Sequence, residues 1–285
     1  MNVNRKRDMS LPIKCNFALI YVLSSLITIL IVVVSVIGLL YRDAIYPTKD
    51  LLQSFVPNDV VNLFIGVPIL LGSMWLARRG KLIGLLCWPG ALLFVLYNYI
   101  AYVFAMPLNV VFLLHLSLVT LSVYTVIGLV TSIDGAAVQQ QLADSVPKRV
   151  AGGILTGLGI LFFLRVIGVT VNAFVNQAPI TETELAVQIA DFLITPTWII
   201  GGILLWRRKE LGYVTGLGLL FQASMLFIGL IVFLLLQPFL TAAPFILTDV
   251  IVIFIMGLVC FIPFVLFVRG VVSKRNSSPR VGGTE

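Results

Sequence analysis

Arg165 interrupts an apolar run that extends from about residue 150 to 173. An arginine inside a membrane span costs about 2.5–3.5 kcal/mol to insert, so it faces protein or water and takes a partner. Asp191 is the matching acid. Arg165 follows Arg149 by 16 residues and Asp191 precedes Arg207 by 16, which at 1.5 Å per helical residue puts both about 24 Å above those arginines. The single histidine, His115, lies 17 residues before Ser132, and Asn98 lies 17 past Lys81. Both come to about 26 Å by the same rule, with Tyr99 and Tyr102 on the adjoining turn. These spacings predict one polar layer of Arg165, Asp191, His115, Asn98, Tyr99 and Tyr102 in the outer half of the membrane. Its chemistry would be recognition: a guanidinium for an anionic group, Asp191 as exchangeable counter-charge, and His115 and Asn98 orienting the ligand. Two plainer readings stand beside it. The pair could only lock two helices together, or Arg165 could snorkel to the headgroups while Asp191 serves as a first-turn acid, the role also expected of Asp59 and Asp249.

The elements that must hold these groups follow from composition. With 60% hydrophobic and 11% charged residues and a mean hydropathy of +1.09, the chain departs far from soluble domains, which carry about 25% charged residues. Cutting at charges and turns leaves eight apolar stretches: 17–41, 60–77, 82–105, 108–132, 150–173, 185–206, 211–236 and 246–268. Each can cross a hydrocarbon core of about 30 Å. The connections are too short to house another folded unit. The expected architecture is therefore all-α, a polytopic transmembrane helix bundle forming a single membrane-embedded domain over residues 1–285. The small polar tail, 271–285, is expected to be disordered and cytoplasmic.

The net charge of +7 invites a nucleic-acid reading, but its placement speaks for a membrane rule instead. With the N-terminus inside, all basic residues except Arg42, Lys49 and Arg165 fall on the inner side. That bias predicts both termini in the cytoplasm. The first apolar run is too long for a secretory signal core and has no small-x-small cleavage pattern, so it reads as a retained helix. Cys15, Cys87 and Cys260 form no C-x-x-C pair and read as inert thiols.

Two stretches share one plan. Asp59, Pro68, Arg78, Arg79 and Gly84 are echoed about 130 residues later by Asp191, Pro196, Arg207, Arg208 and Gly212. The spacing is compatible with a parallel 4+4 repeat of residues 1–132 and 150–270, and equally with positive charges and glycine turns recurring in any polytopic chain. Gly153 with Gly157, and Gly212 with Gly216, have the i, i+4 spacing that lets helices approach closely. Pro196, between Thr195 and Thr197, is the best candidate for a broken helix, with an ordinary kink as the simpler expectation. Gln222 reads as helix-to-helix glue.

Several chemistries have no residues to support them. One histidine excludes H-E-x-x-H zinc sites and bis-histidine haem, and no phosphate-binding loop appears. Asp134-Gly135-Ala136-Ala137 begins like a lipid-alcohol phosphotransferase motif but lacks its arginine and later aspartates. Paired intramembrane aspartates are also not expected. No cofactor is implied.

Pro57-Asn58-Asp59-Val60-Val61, Ala77-Arg78-Arg79-Gly80, Trp88-Pro89-Gly90 and Tyr97-Asn98-Tyr99 together resemble segments of a group of uncharacterised prokaryotic integral membrane proteins. Trp206-Arg207-Arg208 with Leu211-Gly212-Tyr213 is similar as well. The resemblance implies a prokaryotic cytoplasmic membrane and carries no activity. The sequence thus leads to a multi-pass protein whose partners are the lipid bilayer and a small anionic solute, with no nucleic acid. A non-catalytic scaffold or assembly role is the alternative, and a membrane-embedded enzyme a weaker third.

Overall fold

Eight helices of the computed structural model are long and apolar enough to cross a bilayer. The structure describes residues 11–14 and 17–276, and the expected positions of Arg5, Lys6, Arg7, Cys15 and most of the tail lie outside them. The order is α1 (Ala18–Leu40), α2 (Arg42–Ile45), α3 (Lys49–Val61), a π turn (Asn62–Gly66), α4 (Val67–Arg78), α5 (Leu82–Ala105) and α6 (Val110–Ser132). Then come α7 (Gly135–Leu142), α8 (Lys148–Asn176), α9 (Glu182–Trp206), α10 (Glu210–Leu240) and α11 (Leu247–Asn276). Helices α3 and α4, joined through the π turn, make one span. Helix α11 continues into the stretch expected to be disordered, up to Asn276.

Helix α5 is the hub. Of its most apolar stretch 89% is buried, against 22% for α8 and α11. A helix that is apolar all round is stable only inside other helices, and α5 meets that condition with small residues where backbones touch. A side chain on Gly90 would overlap the carbonyl of Gly218 on α10. Polar groups along α5 are spent on neighbours: Trp88 donates its indole N–H to Ser24 Oγ on α1 (3.1 Å), and Gln222 of α10 donates to the Leu93 carbonyl (3.2 Å) while accepting from Trp198 Nε1 of α9 (3.0 Å). The glue role expected of Gln222 is realised. At the periphery large side chains such as Phe64, Leu113, Phe174 and Ile255 are exposed, as an acyl-chain solvent requires.

Backbone contacts sort the connections into two ends. Asp134 N–H donates to the Pro12 carbonyl (2.9 Å), and Gln139 donates to the Arg208 carbonyl (2.8 Å). These gather residues 12–14, 132–139 and 208 at what is here called the basic end. At the opposite end, Thr183 Oγ1 donates to Asp50 (2.6 Å) and Gln237 to the Gln53 carbonyl (3.2 Å).

Two hairpins at the basic end are built alike. Arg79, Gly80 and Lys81 donate backbone N–H groups to Trp75 (3.0 Å), Ala77 (2.9 Å) and Leu76 (3.0 Å). Arg207, Arg208 and Lys209, each 128 residues on, donate to Ile203 (2.9 Å), Leu205 (3.0 Å) and Leu204 (2.9 Å). The middle residue is left-handed in both, Gly80 at φ +70° and Arg208 at φ +56°. Glycine adopts that conformation freely, whereas an L side chain there costs about 1–2 kcal/mol. Gly84 and Gly212 follow, each pressed against the backbone of the preceding helix, where a Cβ has no room.

The structure corrects three local expectations. The second span starts at Lys49, not near residue 60, because Thr48 caps it by accepting from Leu51 N–H (3.2 Å) and Leu51, Phe55 and Val56 form a buried stripe. Asp59 is consequently not a first-turn acid but lies three turns inside the span. Helix α9 runs unbroken through Pro196, with Thr197 Oγ1 bonded back to the Ile194 carbonyl (2.6 Å). The irregularity occurs one residue before Val67-Pro68 instead, where Val67 N–H reaches five residues back to Asn62. A proline ring collides with the carbonyl four residues upstream, and a wider turn relieves it. Finally, Gly157 meets no neighbour. Gly152, Gly153 and Gly159 are the α8 glycines that face α9: a Cβ on Gly152 or Gly159 would overlap its backbone at Trp206 or Ile199, and Gly153 abuts the Trp206 ring.

Candidate functional site

Two polar clusters replace the single expected layer, and helix geometry explains the division. Successive residues on α5 rotate by 100°, so Tyr97 and Tyr102 point about 140° apart. Spacing along a helix gives height but says nothing about facing.

The first cluster joins α5, α8 and α9. Arg165 Nη1 donates to Asp191 Oδ2 at 3.1 Å, and Tyr97 Oη donates to Asp191 Oδ1 at 3.0 Å. The two partners differ in access: the Arg165 side chain is 53% exposed and that of Asp191 only 6%. Asp191 therefore sits inside the bundle and draws the guanidinium towards it from the rim. A second tie between the same helices, Thr170 to Gln188 at 3.2 Å, lies further along towards the opposite end. Arg165 also closes a half-open cleft of about 270 Å³ whose other walls are Leu161, Phe162 and, from α11, Met256. Leu161 and Phe162 are one turn nearer the basic end, so the cleft extends from the cation towards the middle of the span.

The second cluster joins α1, α3, α5 and α6. Tyr99, Tyr102 and His115 do come together, with the His115 ring centroid 4.9 Å from that of Tyr102 and 5.7 Å from that of Tyr99. Their centre is Asp59. This carboxylate is 1% exposed. Tyr102 Oη donates to its Oδ1 at 2.8 Å, and Tyr46 Oη, from the loop after α2, donates to Oδ2. Asn62 Nδ2 approaches Tyr102 Oη (3.5 Å), and Ser35 Oγ lies 3.5 Å from Tyr99 Oη. Gly38 makes the space, since a Cβ there would overlap both Asp59 Oδ2 and Tyr46 Oη. Among the described residues the only ion pair is Arg165–Asp191, so Asp59 has no cationic partner.

Asn98 belongs to neither cluster. Its amide donates to the Phe94 carbonyl four residues back (2.9 Å), a local bond within α5. Sequence reasoning missed Tyr97, Tyr46, Ser35, Asn62 and the central place of Asp59. For Tyr97 a signal existed in the run Tyr97-Asn98-Tyr99, where alternate phenols must face different neighbours. Asp59 and Asp191 are both intramembrane aspartates, yet they bond to different tyrosines on different faces of α5 and share no hydrogen bond.

The eight apolar helices and the polar groups buried among them define an integral, multi-pass helical membrane protein. No family model, curated protein or solved structure matches the chain.

Proposed function

We propose that the chain binds and carries a small anionic solute at Arg165, with the basic end in the cytoplasm and both termini inside. The observation that carries this reading is the unequal burial of the ion pair. Asp191 is buried within the bundle, whereas the Arg165 side chain is half exposed and lines an apolar cleft with its stem. An incoming carboxylate or phosphate can take the exposed donors of Arg165 without first dismantling the bundle. The walls of Leu161, Phe162 and Met256 favour an anion with an apolar body. The orientation rests on the clustering of Arg78, Arg79, Lys81, Arg207, Arg208 and Lys209 in the two like hairpins. The cytoplasmic membrane of a prokaryote is the corresponding location. The same two hairpins, and the contact of Gly90 with Gly218 at the equivalent 128-residue spacing, support a parallel repeat of the two halves. Such repeats place solute sites near their interface.

The test is saturable binding of a fluorescent medium-chain fatty acid to the purified protein in nanodiscs. Arg165→Leu paired with Asp191→Leu removes both charges together and so leaves no buried charge unmatched. Affinity for the probe should fall at least about tenfold in that double variant, the loss of roughly one charge-assisted hydrogen bond. Unchanged affinity in a folded double variant would refute an anion site at Arg165. A scaffold role is the second reading, favoured by Asp191 already having both oxygens occupied and so tying α5, α8 and α9 together. On that reading no anion binds, and the double variant differs from the parent only in stability.

A further inference from the structure

Asp59 presents a problem that the Arg165 site does not solve and does not share. An ionised carboxylate held away from water needs a counter-charge, and hydrogen bonds from neutral hydroxyls offset only part of the cost. The groups that face it are known from every packed element. Helix α1 brings Ser35 and Gly38, the loop after α2 brings Tyr46, the π turn brings Asn62, α5 brings Tyr99 and Tyr102, and α6 brings His115. The α9 and α10 side chains bonded to α3, Thr183 and Gln237, are spent on Asp50 and the Gln53 carbonyl. None of these supplies a fixed positive charge. Among the described residues no fixed cation meets Asp59, so a mobile charge would have to neutralise it.

We propose that Asp59 is a proton-binding site, with Tyr46 as the phenol that exchanges hydrogen-bond roles with it. A proton suits this place better than a metal cation. Both carboxylate oxygens are already within hydrogen-bond contact of a phenol, and Gly38 packs against the remaining side, so an ion with its own ring of oxygens has no seat. A proton needs none. On uptake it adds to Oδ2, converting carboxylate to neutral acid. The new O–H donates to the Tyr46 oxygen, which until then was donating, so one hydrogen bond reverses direction and no heavy-atom bond forms or breaks. A second acceptor adjoins the same phenols. His115 is 2% exposed and, among the described residues, its Nδ1 has no hydrogen-bond partner, while its ring packs against Tyr99 and Tyr102. The assignment goes beyond the anion site and stands whether or not Arg165 binds a solute.

Infrared spectra of the full chain in nanodiscs test it directly. At neutral pH the wild type should show a carboxylic-acid carbonyl band that shifts in heavy water and is lost completely in Asp59→Asn, while Asp191→Asn leaves it in place. Raising the pH should convert that band to carboxylate absorption. A wild-type spectrum identical to that of Asp59→Asn in this region would overturn the proposal, because Asp59 would then be ionised. A band that disappears when choline is replaced by sodium at constant pH would also overturn it, in favour of a sodium ion. Should Asp59→Asn not fold, Tyr46→Phe keeps the acid and removes only its partner. The band should then persist at a shifted frequency, and an unmoved band would count against the site.

Discussion

Asp59 and Asp191 are the same chemical group in comparable surroundings, each on a span adjacent to α5 and each bonded to one of its tyrosines, yet the fold treats them oppositely. Asp191 receives a guanidinium at 3.1 Å from Arg165, a side chain that also lines an apolar cleft. Asp59 receives only neutral hydroxyls, from Tyr46, Tyr102 and Ser35, and is sealed by the close approach of Gly38. A buried carboxylate can be made tolerable by a counter-charge that reaches out to the surface, or by neutral donors and a mobile charge. The first arrangement leaves a cation accessible to other anions. The second leaves nothing accessible larger than a proton.

Substitutions can break or sharpen this contrast, and the largest effect should fall on the sealed side. Asp59→Ala strands the hydroxyls of Tyr46 and Tyr102 and opens a void, costing about 3–5 kcal/mol in denaturant unfolding of the detergent-solubilised protein. Asp59→Asn keeps an acceptor and the shape of the neutral acid, so it should cost only about 1 kcal/mol. Equal losses for the two would mean that the negative charge itself matters at Asp59.

On the open side the two partners should be unequal. Arg165→Leu leaves Asp191 buried with only Tyr97, a loss of about 2 kcal/mol after discounting for the exposure of the guanidinium. Asp191→Asn leaves Arg165 free to turn towards the headgroups and should cost less than about 1 kcal/mol. The reverse order in paired melting curves would show that Arg165, rather than Asp191, is the trapped member. Tyr97→Phe removes one donor to Asp191 and should cost about 1 kcal/mol in the same assay. The smallest change is expected at Asn98, whose amide bonds only within its own helix. Asn98→Leu should shift stability by less than about 1 kcal/mol and leave probe binding at Arg165 as it was.

The eight spans were legible because long apolar runs between charged turns have one physical meaning in a chain of this composition. The Arg165–Asp191 pair was legible for a related reason, since an isolated intramembrane cation has few partners at its own depth. The Asp59 cluster was hidden by a rule that serves well elsewhere. Residues 49–59 carry Lys49, Asp50, Gln53, Ser54, Asn58 and Asp59, so a cut at polar residues discards them as a loop. Their buried residues are Leu51, Phe55, Val56, Pro57 and Asp59, one stripe in a mixed segment. Facing was the other hidden quantity. Tyr97, Asn98 and Tyr99 have almost the same height, but rotation along α5 delivers one to Asp191, one to its own backbone and one to the Asp59 cluster.

The wide turn at Asn62–Gly66 sets the azimuth of everything before it. It holds one residue more than regular winding would use, and each residue is worth about 100° of rotation and 1.5 Å of rise. Wound as a regular helix with no residue removed, the same segment would swing Asp59 away from Tyr102 by about that angle, whereas deleting Leu63 would restore ordinary winding and leave the acid facing as it does. The second span thus behaves as a dial with an inserted notch, and the position of that notch decides which neighbour the acid addresses.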